Sequence, residues 1–270
     1  MPTKIVKKIL PILPDTLALR IIGKAAGIVK PLDVREFEQA ALSQAKPIYL
    51  GQKKQIRAWE WGTGPIVVLI HGWGGQASQM APHAMEIAKR GFRCIIFDVT
   101  GHGRSSKNYT QWDYFIRDIT DLSNSLNEEI YAYIGHSAGG MTMMAAHHHG
   151  RIQAKKLICV CAPSFPFPPI EGVRRKLNPR ASVMSLYKAH ISKQFEIPWN
   201  QLETSEFYTN PTSKMLLIYD KKDKFVPHTE GDKIHTLHPN SSLVKTEEYG
   251  HTRILASEEL NTIVGDFLSH

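Results

Sequence analysis

Cysteine is scarce in this sequence: three residues in 270, Cys94, Cys159 and Cys161. Each lies in an apolar, strand-like run. Cys159 and Cys161 stand two apart in Leu157-Ile158-Cys159-Val160-Cys161, where strand neighbours share a face but are badly placed to bridge each other. An odd number of cysteines in apolar context excludes a disulfide scaffold and points to a reducing, cytoplasmic compartment. No CxxC pair and no Cys/His zinc spacing occurs, so neither a metal nor a cofactor is expected. Long hydrophobic runs are missing too. No segment approaches 18 uncharged apolar residues, so no transmembrane helix is predicted. The apolar stretch after Lys8 is broken by Pro11, Pro14 and Asp15, a poor signal-peptide core. Acidic residues are outnumbered, 25 against 33 Lys and Arg, for a net charge of +8. That excess suits an anionic partner, but no nucleic-acid-binding motif accompanies it, and nucleic acid is not expected. Repeats and low-complexity tracts are absent.

What is there has ordinary globular proportions, 42% hydrophobic and 21% charged residues. The length suits one α/β domain with an insertion. Residues 1–50 are read as a helical N-terminal extension. Its first 30 residues carry Lys4, Lys7, Lys8, Arg20, Lys24 and Lys30 against the single acid Asp15. Residues 16–29 predict a short basic amphipathic helix that either packs on the domain or makes peripheral contact with an anionic membrane surface. Beyond it, strand-type runs at 55–61, 66–70, 93–97, 131–134, 157–161, 215–219 and 243–245 alternate with helix-type runs at 78–89, 109–126, 229–237 and 257–268. Ile66-Val67-Val68-Leu69-Ile70 is apolar throughout, as a parallel strand buried on both faces should be. The alternation predicts an α/β fold with a doubly wound, mostly parallel sheet, helices on both faces, and functional residues at the carboxyl ends of the strands. The core is assigned to 51–162 and 212–270. Residues 163–211, proline-rich at both ends, are read as an inserted cap, helical near Ser182–Phe195. Its aromatics either wall an apolar pocket or fill the cap's own small core.

The most informative run is Gly135-His136-Ser137-Ala138-Gly139. The largely apolar run Glu129–Ile134 leads in and helix-compatible Met141–Ala146 leads out. A serine at such a strand-to-helix turn sits in a strained backbone. Glycines two residues before and after it remove side chains that would clash across the turn. The hydroxyl is then held above a helix N-terminus, as a nucleophile requires. Serine is a weak nucleophile at neutral pH and needs a histidine base oriented by a carboxylate. Of 13 histidines, His251 alone lies on a C-terminal loop just after a strand. His147, His148 and His149 end a helix and fan out about 100° apart, a solvated helix end rather than a metal site. Asp220 and Asp223 are the two candidate acids. Asp223 is preferred, since it lies in the loop ahead of Val226-Pro227, whereas Asp220 ends the strand. The loop after Leu157–Cys161 offers no carboxylate. The order Ser137, Asp223, His251 is the one expected of this architecture. An oxyanion hole would take the backbone N–H of Ala138 and that of Trp73, from the loop His71-Gly72-Trp73-Gly74-Gly75. His71 and His136 are read as bracing residues.

Taken together, His71-Gly72-Trp73, Asp98-Val99-Thr100-Gly101-His102-Gly103-Arg104-Ser105, Gly135-His136-Ser137-Ala138-Gly139, Asp223 before Val226-Pro227, and Gly250-His251 make the chain similar to α/β-hydrolase fold enzymes over residues 55–268. Gly250-His251-Thr252-Arg253-Ile254-Leu255 with the basic N-terminal extension resembles a poorly characterised bacterial subgroup. Asp220 stands where the family often has a turn glycine, which keeps it open as the alternative acid. The resemblance implies a serine hydrolase whose small-molecule acyl substrate is a small to medium carboxylic ester. Dehalogenases and epoxide hydrolases of this fold use an aspartate nucleophile, against which Ser137 speaks, and an HGGG-type lipase loop is absent. Thioester, amide or carbon–carbon bond hydrolysis on the same triad remains an alternative, as does a ligand-binding protein with little turnover.

Overall fold

The structure, a computed structural model, describes residues 3–105, 108–209 and 212–270; the expected cap boundary at 210–211 lies outside the described residues. The chain opens with helices α1 (Thr3–Ile9), α2 (Asp15–Gly27) and α3 (Glu36–Leu42). Strands β1 (Lys46–Leu50), β2 (Ile56–Trp61) and β3 (Ile66–Ile70) follow, then helix α4 (Ala81–Ala88) and strand β4 (Arg93–Phe97). Next come α5 (Trp112–Leu126), β5 (Ile130–His136), α6 (Ala138–His148) and β6 (Lys156–Val160). Between β6 and β7 lie α7 (Phe167–Leu177), α8 (Ala181–Phe195) and α9 (Trp199–Glu203). The chain closes with β7 (Lys214–Asp220), α10 (Thr229–Leu237), β8 (Ser242–Thr246), α11 (Gly250–Arg253) and α12 (Glu258–Ser269).

All eight strands form one sheet in the order β1-β2-β4-β3-β5-β6-β7-β8. The β1/β2 and β2/β4 pairs are antiparallel, and β4, β3, β5, β6, β7 and β8 run parallel. Side chains alternate across a strand, so each continuous apolar run feeds two cores. Ile66, Val68 and Ile70 of β3 join one apolar cluster with α2, α5, α6, α7 and α8; Val67 and Leu69 join the other with α3, α4 and α12. After β3 the chain winds to β4 on one side; after α5 it returns to β5 on the other. The crevice outside the carboxyl ends of β3 and β5 is therefore the topological switch point, where ligands bind in open α/β sheets.

The N-terminal segment differs from the helical extension read for residues 1–50. Helix ends at Leu42, and Lys46–Leu50 is an edge strand on β2. Pro47 fits there because an edge strand has one side free of ladder hydrogen bonds. Helix α2 packs along α8, burying Ala18 and Ile22. At its end the Thr110 N–H donates to Gly27 O at 2.8 Å and the Val29 N–H to Asn108 O at 3.0 Å. Arg180, at the start of α8, donates to Pro11 O, Leu13 O and the Asp15 carboxylate. The insertion is also more helical than the 182–195 segment expected. Its aromatics Tyr187, Phe195, Phe207 and Tyr208 are buried together, and the Tyr208 hydroxyl donates to Pro163 O at 2.8 Å.

Asp220, the last residue of β7, fixes the turn beyond β8. It is wholly buried. One carboxylate oxygen accepts from the Lys222 N–H (2.9 Å) and the Gly250 N–H (2.8 Å). The other accepts from the Thr246 hydroxyl (2.6 Å) and the Glu248 and Tyr249 N–H groups (3.0 Å each). Burial raises the carboxyl pKa, but the bonds from Thr246, Tyr249, Gly250 and Lys222 outweigh it and hold the group down to about 2 against an ordinary 3.8. A carboxyl whose folded pKa lies below its unfolded one stabilises the fold above the unfolded value and loses that contribution as pH falls through the folded value. Asp220→Asn sets an amide N–H₂ against some of these donors. It is expected to cost roughly 2–3 kcal/mol at pH 7. In urea unfolding its stability should also fall less steeply than that of the wild type between about pH 4 and pH 2. Equal stabilities at pH 7 with parallel acid limbs would count against the clamp.

Candidate active site

β5 delivers Ser137 to the switch point at φ +52°, ψ −120°, a conformation that side chains rarely adopt. The flanking glycines make the turn possible. A Cβ on Gly135 would lie 2.3 Å from Gly140 Cα, and one on Gly139 would lie 2.5 Å from His71 O. The Ser137 N–H is anchored to Val160 O of β6 at 2.9 Å. Its Oγ stands 3.0 Å from His251 Nε2, and His251 Nδ1 stands 2.6 Å from Asp223 Oδ2. An ionised carboxylate only accepts, so Nδ1 carries the ring proton and Nε2 is left to accept the Ser137 hydroxyl proton. The structure thus brings Ser137, His251 and Asp223 into one hydrogen-bonded line. Among the described residues Asp220 makes no hydrogen bond to the imidazole; it holds the backbone of the loop that carries it.

Asp223 is almost fully buried, and its other oxygen accepts from the Phe225 N–H (2.7 Å) and the Val226 N–H (2.9 Å). Burial pushes its pKa up, but His251 and these two N–H groups pull it further down, and the group stays ionised. Ala138 opens α6, where N–H groups lack intrahelical acceptors and the helix dipole favours negative charge. Gly72 passes so near the serine that an added Cβ would sit 3.1 Å from Ser137 Cβ, which brings the next residue, Trp73, to the same spot. Among the hydrogen bonds of the described residues, neither the Trp73 nor the Ala138 N–H has a partner.

A buried scaffold of histidines and acids supports these loops. Val99 N–H donates to His71 Nε2 at 3.1 Å, so His71 Nδ1–H faces Gly72 O at 2.8 Å. Gly74 N–H donates to His102 Nε2 at 3.0 Å, fixing the residue after Trp73. His136 Nε2 donates to His251 O at 2.7 Å. Burial, aided by neighbouring histidines, pushes His102 down to about 2 and His136 to about 3, so both stay neutral. Asp98 accepts from the Ala77 and Arg104 N–H groups at 2.8 Å each, and Gly103 leaves the room it needs. Sequence reasoning assigned no role to His102 or Asp98; the only signal was their place in the Asp98–Ser105 turn.

Cys161 Sγ, Asp223 and His251 offer donor atoms within 4.8 Å of one another, the one metal-like cluster among the described residues. Its imidazole and carboxylate already bond each other, and burial with the adjacent Asp223 charge pushes the Cys161 thiol well above its ordinary pKa. The histidine triplet does not converge: His147 bonds Ile152 O and His149 bonds Phe195 O. Of the two expectations for the insertion's aromatics, Tyr187, Phe195, Phe207 and Tyr208 follow the second and fill a core of their own. One cavity of about 20 Å³, the size of a single water, lies between α2, α8 and the Trp73 indole. An open groove of about 440 Å³ runs between Ser164, Glu203 and Lys233. Ser137 lines neither.

Residues 65–182 match the model of the alpha/beta hydrolase fold family. A non-heme chloroperoxidase of Kitasatospora aureofaciens is 29% identical over 109 residues, which cover 38% of this chain and 40% of that protein. The pimeloyl-[acyl-carrier protein] methyl ester esterase of Vibrio atlanticus is 27% identical over 161 residues, 57% of each chain. The chain thus aligns with about two-fifths to three-fifths of the length of these curated relatives. The crystal structure of a bromoperoxidase from Bacillus anthracis superposes with a TM-score of 0.65 at 19% identity, covering 83% of this chain and 100% of that one. The parallel sheet, its switch point and these likenesses agree, and the chain belongs to the α/β-hydrolase fold superfamily.

Proposed function

We propose that this protein is a serine hydrolase that cleaves a small to medium carboxylic ester through an acyl-enzyme. The observation that carries the reading is the line from Ser137 Oγ through His251 to Asp223, at 3.0 and 2.6 Å, on a serine held in a strained turn. In this mechanism His251 Nε2 takes the hydroxyl proton as Oγ attacks the ester carbonyl. The oxyanion that forms is held by the N–H groups of Trp73 and Ala138. Collapse of the tetrahedral adduct expels the alcohol, which receives the proton from His251. A water, deprotonated by the same imidazole, then releases the acid and restores the hydroxyl. Asp223 stays ionised throughout and favours the imidazolium formed at each transfer. The chemistry needs neither metal nor cofactor. An ester is favoured because a serine nucleophile sets the chain apart from aspartate-dependent branches of the fold, and the Vibrio relative is named as a methyl ester esterase. The α7–α9 insertion is the cap that selects the acyl group. Three buried free cysteines fit work in the reducing cytoplasm. No helix of the described residues is long and apolar enough to cross a membrane.

Wild-type protein is expected to label with a fluorophosphonate probe and to hydrolyse short p-nitrophenyl esters. Ser137→Ala should lose both. A wild type that neither labels nor turns over any acyl ester overturns the hydrolase reading and leaves a binding protein on this fold. The same assay separates the two acids. Asp223→Asn favours the wrong imidazole tautomer and should lower kcat by about 1,000- to 10,000-fold with little change in folding. An Asp223→Asn enzyme within a few-fold of the wild type would remove Asp223 from the relay.

A further inference from the structure

The N-terminal helices carry a surface that hydrolysis at Ser137 does not use. Helix α2 turns Ala18 and Ile22 inward onto α8, and at about 100° per residue the positions two away from these lie on the opposite side and face out. Leu17, Arg20, Lys24 and, just past the helix end, Ile28 fall on that outer side and are exposed. The ridge continues backwards through exposed Ile12, Pro11, Lys8 and Lys7, and forwards through Lys30 and Leu32. Ile12 is 81% exposed and Ile28 54%. Among the described residues nine large hydrophobic side chains are exposed, and Ile12, Leu17, Ile28 and Leu32 are four of them. The cations between them are unpaired: no ion pair or side-chain hydrogen bond among the described residues involves Lys7, Lys8, Arg20, Lys24 or Lys30. The one acid of the segment, Asp15, is taken by Arg180 instead. Arg174, Arg175 and Lys176, in the last turn of α7, add three more bases on a helix that packs against α1 and α2.

Five unpaired cations interleaved with exposed aliphatic side chains fit neither a soluble surface, where large apolar groups are solitary, nor a protein groove, which is concave. They fit a flat anionic layer that accepts cations at its headgroups and aliphatic side chains just below. We propose that the outer ridge of α1 and α2 docks this protein on an anionic lipid surface. Docking there is built into the fold. Arg180 ties the ridge to α8, the Gly27–Thr110 and Val29–Asn108 hydrogen bonds tie its end to the loop before α5, and Gly23, Ala26 and Gly27 share a small cavity with Trp73 and Trp112. The lipid layer would therefore lie on the outer side of α2, away from its contact with α8.

Co-sedimentation of the full chain with vesicles tests this without reference to catalysis. Binding is expected to phosphatidylcholine vesicles containing phosphatidylglycerol and not to pure phosphatidylcholine. It should weaken as salt shortens the screening length to about 3 Å at 1 M. Each cation removed should cost about fivefold in partitioning, so Arg20→Ala/Lys24→Ala should bind about 25-fold more weakly. Ile12→Ser should weaken binding with no change in its salt dependence. Both variants should keep the wild-type unfolding temperature and the wild-type rate on a soluble ester. Ser137→Ala should bind vesicles as the wild type does, which keeps the fate of the docking surface separate from that of the hydrolase reading. No binding to anionic vesicles at low salt, equal binding to both vesicle types, or Arg20→Ala/Lys24→Ala binding as the wild type would each overturn the proposal.

Discussion

The close approach of backbone to backbone at the end of β5 governs the rest of the site. At Gly135 and Gly140, and again at Gly139 and the end of β3, two stretches of main chain pass with no room for a methyl group between them. The contact forces Ser137 to φ +52°, a strain of order 1–3 kcal/mol that only a rigid surround can maintain. The surround here is a sheet whose central strands are buried on both faces. Each residue of β3 and β6 is buried, and so is α6 from Ala138 to Ala146. The strain has a geometric product. Ser137 follows β5 and Trp73 follows β3, so the two residues stand beyond the ends of neighbouring parallel strands.

Charge around the serine is arranged with equal economy. Two carboxylates three residues apart have separate tasks. Asp220 accepts five hydrogen bonds and holds the loop, and Asp223 accepts from the imidazole. Three other histidines lie in or beside the site, and burial lowers the pKa of each. A protonated His136, its ring 4.8 Å from that of His251, would oppose positive charge there. Held neutral, it instead donates to the His251 carbonyl and steadies the ring's backbone. Burial thus turns three titratable residues into fixed hydrogen-bonding struts.

The central architecture was legible in the sequence because its signals are local. Ile66–Ile70 and Arg93–Phe97 read as strands by their apolar runs, and the structure has strands over the same residues. β1 was not legible. An edge strand has one partner and one buried face, so Lys46-Pro47-Ile48-Tyr49-Leu50 carries little pattern and its proline reads as loop. Helix α7 was hidden for a related reason. Pro168 and Pro169 look like breakers, yet they occupy the first turn, where the missing N–H costs nothing. The choice between Asp220 and Asp223 turned on loop placement in the sequence. The structure separates them by hydrogen-bond partners that lie 26 to 30 residues away. The support that His102 gives to Gly74 rests on proximity across 28 residues, which no local pattern encodes.

The N-terminal segment shows how composition and packing answer different questions. Basic charge and amphipathic spacing in residues 16–29 allowed both packing on the domain and contact with a membrane. In the structure the inner face of α2 packs on α8, which leaves the outer face unoccupied rather than deciding against it. A helix has two sides, and an alternation that fills one with Ala18 and Ile22 places Leu17, Arg20 and Lys24 on the other. The inner side reaches the small cavity beside Trp73 and Trp112. The segment that looks most like an appendage in the sequence is thus packed into the fold along one side and open along the other.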